Sequence, residues 1–469
     1  MKTECTPTQL EFHPLVRRQV TGKFDGGTIT SDGGGLLLRE VEKRVGIIRQ
    51  FSECFEDLRD PDLIEHTVAE LIAQRVYGLA LGYEDLNDHD DLRNDPLLAV
   101  LVGKTDPEGE DRIRSRDKGK AMAGKSTLNR LELTPAEPTE KEKRYKKIIM
   151  KPENIDRLFV DLFLQAHDKA PEQIILDVDA TDDPLHGNQE GKFFHGYYGH
   201  YCYLPLYIFY GEFLLCARLR KSNNDASAGT VEELERIVTR IRRVWPEVEI
   251  LVRGDSDFCR EKIMAWCERN CVKYVFGIAK NNRLKAMIAE EMTEAARLYE
   301  QMDHRVRLFK DFRYETLKSW TRERRVVGKA EYLAKGENPR FIVTSVAMGQ
   351  IGAQALYEEV YCARGDMENR IKEQQLYLFA DRTSTSKMRS NQLRLYFSSI
   401  AYSLMQALRR LGLHGTQLSK AQCHTIRLKL LKIGAQIRVT VRKVWVSWAE
   451  GYPYAELFAQ VHGNLRAYG

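Results

Sequence analysis

Four acidic residues stand where carboxylates could do chemistry. Asp177 and Asp179 lie in LDVDATDD, the end of an apolar run that reads as a strand. Side chains alternate along a strand, so these two share a face. Two carboxylates on one face are costly to bury unpaired, and a divalent cation would neutralise them. Asp255, in LVRGDSDF, follows a second apolar strand directly, and Glu368 falls on the helix containing YCARGDMENRIKE. Acids delivered by two strand ends and a facing helix are what a two-metal site needs. Mg²⁺, or Mn²⁺ in its place, takes oxygen ligands and keeps waters, so three carboxylates suffice. Two such ions can activate a water or a DNA 3′-hydroxyl and stabilise the leaving oxygen. Asp179, Asp255 and Glu368 are therefore the expected catalytic and metal-binding residues. Asp177 remains an alternative first ligand, while Asp182, Asp183 and Asp257 are expected to cap helices and tighten loops.

The elements that would position these acids can be read from the surrounding pattern. IILDVDA is a strand, HYCYLPLYIFY and FLLCARLR are two strands around Gly211-Glu212, residues 226–244 a helix, VEILVRG a strand, FCREKIMAWCERN a helix and YVFGIA a strand. Three strands followed by helix, strand, helix, strand fits an α/β fold with an RNase-H-like mixed sheet. The interval from Asp255 to Glu368 exceeds what one strand and one helix require. Residues 280–350, with VRLFKDFRYETL, RRVVGKAEYL and PRFIVTSV, are expected to form a β-rich insertion.

The combined segments LDVDATDDPLHGNQEG, YYGHYCYLPL, VRGDSDF and Tyr361-x2-Arg364-x3-Glu368 resemble the bacterial insertion-sequence transposases of the DDE class. SDGGGLLL, AGKSTLNRLE and DRTSTS resemble the same group. The nearest group is the insertion-sequence family numbered thirteen-eighty, related to the wider family numbered four. The resemblance implies metal-dependent DNA cleavage at terminal inverted repeats and strand transfer into target DNA. It gives Asp179, within a D-x-T arrangement with Thr181, the first acidic position, Asp255 the second and Glu368 the third. Tyr361 and Arg364 would contact the phosphate beside the cut, a task suited to the planar fork of arginine. The wider family carries a Lys seven residues after the Glu, where Gln375 stands here. Lys372, one turn after Glu368 on the same helical face, is the expected substitute. The resemblance also implies a homodimer on paired DNA ends. A non-catalytic DNA-binding protein descended from such an enzyme, or a hydrolytic nuclease of the same fold, would be the competing functions. The intact acidic set favours the transposase.

Other motifs compete with this reading. GKAMAGKS at 119–126 matches the P-loop pattern, but the preceding DRIRSRDK is too charged for the strand a P-loop needs. No nucleotide is expected, and Ser126 or Thr127 is expected to cap the helix STLNRLEL. His186, His195 and His200 fit no common zinc spacing. The nine cysteines are scattered and read as reduced thiols. Trp320, near Arg324, could stack on a flipped base or pack a hairpin. In the tail, Arg427, Lys429 and Lys432 lie among alternating apolar residues, a pattern expected of a DNA-backbone contact.

At 469 residues, 43% hydrophobic and 30% charged, the chain is expected to form a globular protein of two to four domains. A net charge of +5 does not by itself argue for nucleic acid. No secretory leader or membrane span is expected, and the expected location is the bacterial cytoplasm. The expected divisions are a mainly helical DNA-end-binding domain at 1–103, a charged linker with helices at 104–170, and the first part of the core at 171–279. The insertion follows at 280–350, then the second part of the core with the Glu helix at 351–413 and a basic region at 414–469.

Overall fold

The computed structural model describes residues 9–467. Contacts divide the chain into two units, one from residues up to 134, 138–149 and from 404 onward, the other from 135–137 and 150–403.

The second unit carries the acids. Its amphipathic first helix, α1 (Pro152–Gln165), starts on a proline, whose missing N–H costs nothing at that position. The chain then runs through β1 (Gln173–Ala180), β2 (Leu206–Tyr210) and β3 (Phe213–Arg218). Gly211 turns the β2–β3 hairpin with a φ of 54°, a conformation that side chains with a Cβ rarely adopt. There follow α2 (Thr230–Val244), β4 (Glu249–Gly254), α3 (Glu261–Arg269) and β5 (Lys273–Ile278). Next come α4 (Ala289–Met302), β6 (Val306–Tyr314), β7 (Arg324–Leu333) and β8 (Arg340–Thr344), and α5 (Gly365–Leu378) carries Glu368.

The strands form one mixed sheet in the order β3-β2-β1-β4-β5-β8-β7-β6. β1, β4 and β5 are mutually parallel neighbours and the remaining pairs are antiparallel. The parallel strands read as continuous apolar runs because both faces are covered. On one face Ile174, Leu176 and Val178 pack with Phe163 of α1, Ile237 of α2 and Met264 of α3. Fully burying such a side chain contributes roughly 1.5–3 kcal/mol. The opposite face holds Leu251, Val275, Ile342, Leu356 and Tyr357. Alternation puts Asp177 and Asp179 on this second face, beneath the segment that leads into α5.

Residues 280–350 hold more strand than helix, and their long strands belong to the central sheet and not to a sheet of their own. They open with the helix Asn282–Met287 and α4, and β6, β7 and β8 extend the central sheet beyond β5. Backbone pairing between β5 and β8 joins them, a long-range match that local patterning does not reveal.

In the first unit, residues expected to be mainly helical begin with strands at Leu10–Leu15, Arg18–Gly22 and Ile29–Thr30. Helices follow, among them Val68–Leu81, which opens with a capping box between Thr67 and Glu70. The C-terminal strand Ala435–Val439 pairs with Ile29–Thr30 and with Val444–Trp448. The glycines of SDGGG permit this assembly. A Cβ on Gly34 would fall 1.7 Å from the Leu430 carbonyl oxygen, and one on Gly33 2.8 Å from that of Ile433. Among the described residues no helix is long and apolar enough to cross a membrane.

Candidate active site

The parallel register of β1 and β4, which pairs Val178 with Gly254, sets Asp179 and Asp255 at neighbouring strand ends. Asp179 is the penultimate residue of β1, and Asp255 immediately follows β4. The Asp255 carboxylate accepts a hydrogen bond from the Asp257 amide at 2.9 Å, which fixes the turn after the strand. Gly254 lets β4 approach β1, since a Cβ there would lie 2.8 Å from a methyl of Val178.

Between the sheet and α5 the chain is irregular. Leu356–Tyr361 is a π-helical turn and Cys362–Arg364 a 3-10 turn. Such interruptions are frequent at functional sites. Here they bring Tyr361 and Arg364 toward the strand ends. A Cβ on Gly277 of β5 would lie 2.6 Å from the Tyr361 hydroxyl and 3.1 Å from the Ser256 amide nitrogen, so only glycine leaves room for Tyr361 beside the Asp255 turn.

Arg364 links the acids. One terminal nitrogen lies 3.1 Å from a Glu368 carboxylate oxygen and the other 3.6 Å from Asp179. Burial pushes the Asp179 carboxyl up to about 7; Arg364 opposes this, and the negative charges of Asp255 and Glu368 add to it. Burial would lower the Arg364 pKa, but Asp179, Tyr361, Asp255 and Glu368 together hold it above its ordinary value. Among the described residues no group of three His, Cys, Asp or Glu side chains stands ready to hold a metal ion. At this centre the guanidinium lies between two of the carboxylates. Asp179, Asp255 and Glu368 offer only oxygen donors, the kind a hard divalent cation takes.

Asp177, the alternative first ligand, is already engaged. Arg253 donates to both its oxygens, at 2.5 and 2.7 Å, and both side chains are buried. Gln375, at the position where the wider family has Lys, donates to the Asp182 carbonyl and to the Asp183 carboxylate, each at 3.0 Å. Lys372 is exposed on α5. His200 is hydrogen-bonded to Asp182 at 2.7 Å.

Several residues expected at a DNA surface are committed elsewhere. Arg324 is 2% exposed and grips Glu261 and Glu268. Its guanidinium also lies over the Trp320 ring, which packs edge-on against Tyr314 at 5.8 Å. Arg427 is buried and donates to the carbonyls of Leu79 and Ala80. Lys432 pairs with Asp32 at 2.6 Å, and Lys429 lies over Tyr454. These positions lend no support to DNA contacts by Arg324 and Arg427, whose charge serves internal pairing. The GKAMAGKS segment follows a 3-10 turn, not a strand. Its helix is capped from outside, with the Lys125 amide donating to Asp90 at 3.0 Å, and not by Ser126 or Thr127.

Sequence reasoning missed Arg253 and Gly277. Arg253 was visible in the motif VRGD, but its partner lies on another strand. A family profile described as transposase DDE domain group 1 matches residues 12–469. No curated protein matches the chain.

Proposed function

The chain belongs to the transposase DDE domain group 1 family, and from that premise we propose that it cleaves DNA at terminal inverted repeats and joins the cut strand to target DNA. Within the family, the quoted segments support the insertion-sequence group numbered thirteen-eighty. The strand order β3-β2-β1-β4-β5 flanked by helices supports an RNase-H-like core. The observation that carries the reading is Arg364, held against both Asp179 and Glu368 beside the Asp255 turn.

Asp179, Asp255 and Glu368 would hold Mg²⁺ or Mn²⁺. When bound, the metal activates the attacking oxygen and stabilises the leaving one. Arg364, released from the carboxylates it now neutralises, would turn its fork onto the phosphate beside the cut. Tyr361, packed against Gly277, would contact the same phosphate. Lys372, exposed one turn beyond Glu368, would contact the flanking backbone. Partners would be double-stranded inverted repeats and target DNA, with two copies on paired ends in the bacterial cytoplasm.

A strand-transfer assay tests this. A donor duplex ending in the repeats that flank the coding sequence is incubated with a target plasmid and Mg²⁺. Joined products support a transposase. Cut but unjoined ends would indicate a hydrolytic nuclease, and retarded but intact DNA a binding protein.

A further inference from the structure

Resting on the assignment of Asp179, Asp255 and Glu368, we propose that Arg253 is a positioning residue that holds the three acid-bearing elements in register, with Asp177 as its anchor. Arg253 stands on β4, two residues before Asp255. Across the parallel ladder its register partner on β1 is Asp177, two residues before Asp179. The guanidinium donates through Nε to one Asp177 oxygen and through Nη2 to the other, a bidentate fork that fixes direction as well as distance. Its remaining terminal nitrogen, Nη1, donates to the Val360 carbonyl.

Val360 lies in the π-helical turn immediately before Tyr361 and Arg364. One planar cation therefore touches the strand that carries Asp179, belongs to the strand that leads to Asp255, and pins the turn that leads to Glu368. The widened turn has no fixed α-helical phase, so its anchoring point sets where Tyr361 and Arg364 face.

The fold itself does not require this pair. β1 and β4 are already joined by a parallel ladder, and the same sheet face holds Ile175 and Leu251. Apolar residues at 177 and 253 would serve the packing as well or better, because desolvating an ion pair offsets much of its attraction. What apolar residues cannot supply is the third hydrogen bond, to Val360. Asp177 is thus the counter-charge that lets an arginine occupy the position, and is not itself a metal ligand.

The test uses the full chain and Mn²⁺ titration followed by electron paramagnetic resonance, with thermal melting and DNA gel shift on the same preparations. The variants are Arg253→Lys, the double change Asp177→Leu with Arg253→Met, and Asp255→Asn as control. The double variant removes both charges and should melt near the wild type. It should nevertheless bind Mn²⁺ about tenfold or more weakly, the loss typical when groups supporting metal ligands are removed. Arg253→Lys keeps the charge but cannot make both the fork and the Val360 bond, so it should fold and fall between the two. If the double variant fails to fold, Arg253→Lys alone decides. A folded double variant, or Arg253→Lys, with wild-type Mn²⁺ affinity overturns the positioning role while Asp255→Asn still shows loss. If Asp255→Asn also binds like wild type, the acid assignment fails and the positioning role falls with it.

Discussion

Arg364 stands one helical turn before Glu368 and meets its carboxylate at 3.1 Å, on the side that faces Asp179. The arginine is the counter-charge of these two acids. Arg364→Gln should lower the melting temperature of the metal-free chain by a few degrees. An ion pair whose carboxylate is half open to water is worth about 0.2–1 kcal/mol. The same variant should gain more stability from added Mn²⁺ than the wild type does. Parallel melts with and without Mn²⁺ check this, and an equal gain in both proteins would deny Arg364 the role.

In the first unit, Arg75 and Glu132 form a buried pair at 2.9 Å, and Arg75 also donates to the carbonyls of Tyr83 and Glu84. Breaking such a pair strands a charge away from water. Glu132→Ala should cost about 3–5 kcal/mol in urea unfolding. A loss under about 1 kcal/mol would mean that Arg75 finds other solvation.

Glu331 provides a pH signature. Burial would raise its carboxyl, but hydrogen bonds from Lys329 and Arg307, with Asn338, outweigh this and hold it at about 2. A carboxyl with a depressed folded value adds stability above its unfolded value and loses it as pH falls through the folded one. Wild type should therefore exceed Glu331→Gln at pH 7 by roughly 1–2 kcal/mol. That margin should shrink between about pH 4.5 and pH 2, as denaturant titrations across this range would record. A constant margin would contradict the pairing.

The segment GKAMAGKS should bind no nucleotide, because Asp90 holds both the amide and the ammonium of Lys125 where a phosphate would have to sit. Calorimetric titration with ATP and Mg²⁺ should give no heat of binding. Micromolar affinity lost in Lys125→Ala would overturn this. Asp90→Ala should instead lower stability by about 1 kcal/mol as the external cap is lost.

Much of the second unit was legible because its signals are local. Asp179 and Asp255 end apolar runs, and the runs are β1 and β4. Glu368 sits on a helix whose pattern is plain, although the π and 3-10 turns before it gave no sign in the sequence. Distant pairing was not legible. The β5–β8 match that carries β6 and β7 into the main sheet depends on residues far apart in the chain. So does the pairing of Ile29–Thr30 with Ala435–Val439. Charge misled where burial decides. Arg324 and Arg427 look like surface cations in sequence, yet Glu261, Glu268 and two helix-end carbonyls engage them internally. Asp177 reads as a possible ligand in sequence, and the residue that engages both its oxygens, Arg253, lies on another strand.

The central claim is that Asp179, Asp255 and Glu368 are one metal-dependent cutting centre, and Asp255→Asn tests it most directly. An amide is a poorer ligand than a carboxylate for a hard cation, whereas phosphate contacts elsewhere are untouched. Wild type and Asp255→Asn would be compared on one end-labelled duplex bearing the flanking repeat, by gel shift and by strand cleavage in Mg²⁺. The account predicts equal retardation of the duplex by both proteins, with cleavage by the wild type alone. Cleavage by Asp255→Asn at the wild-type rate would contradict it.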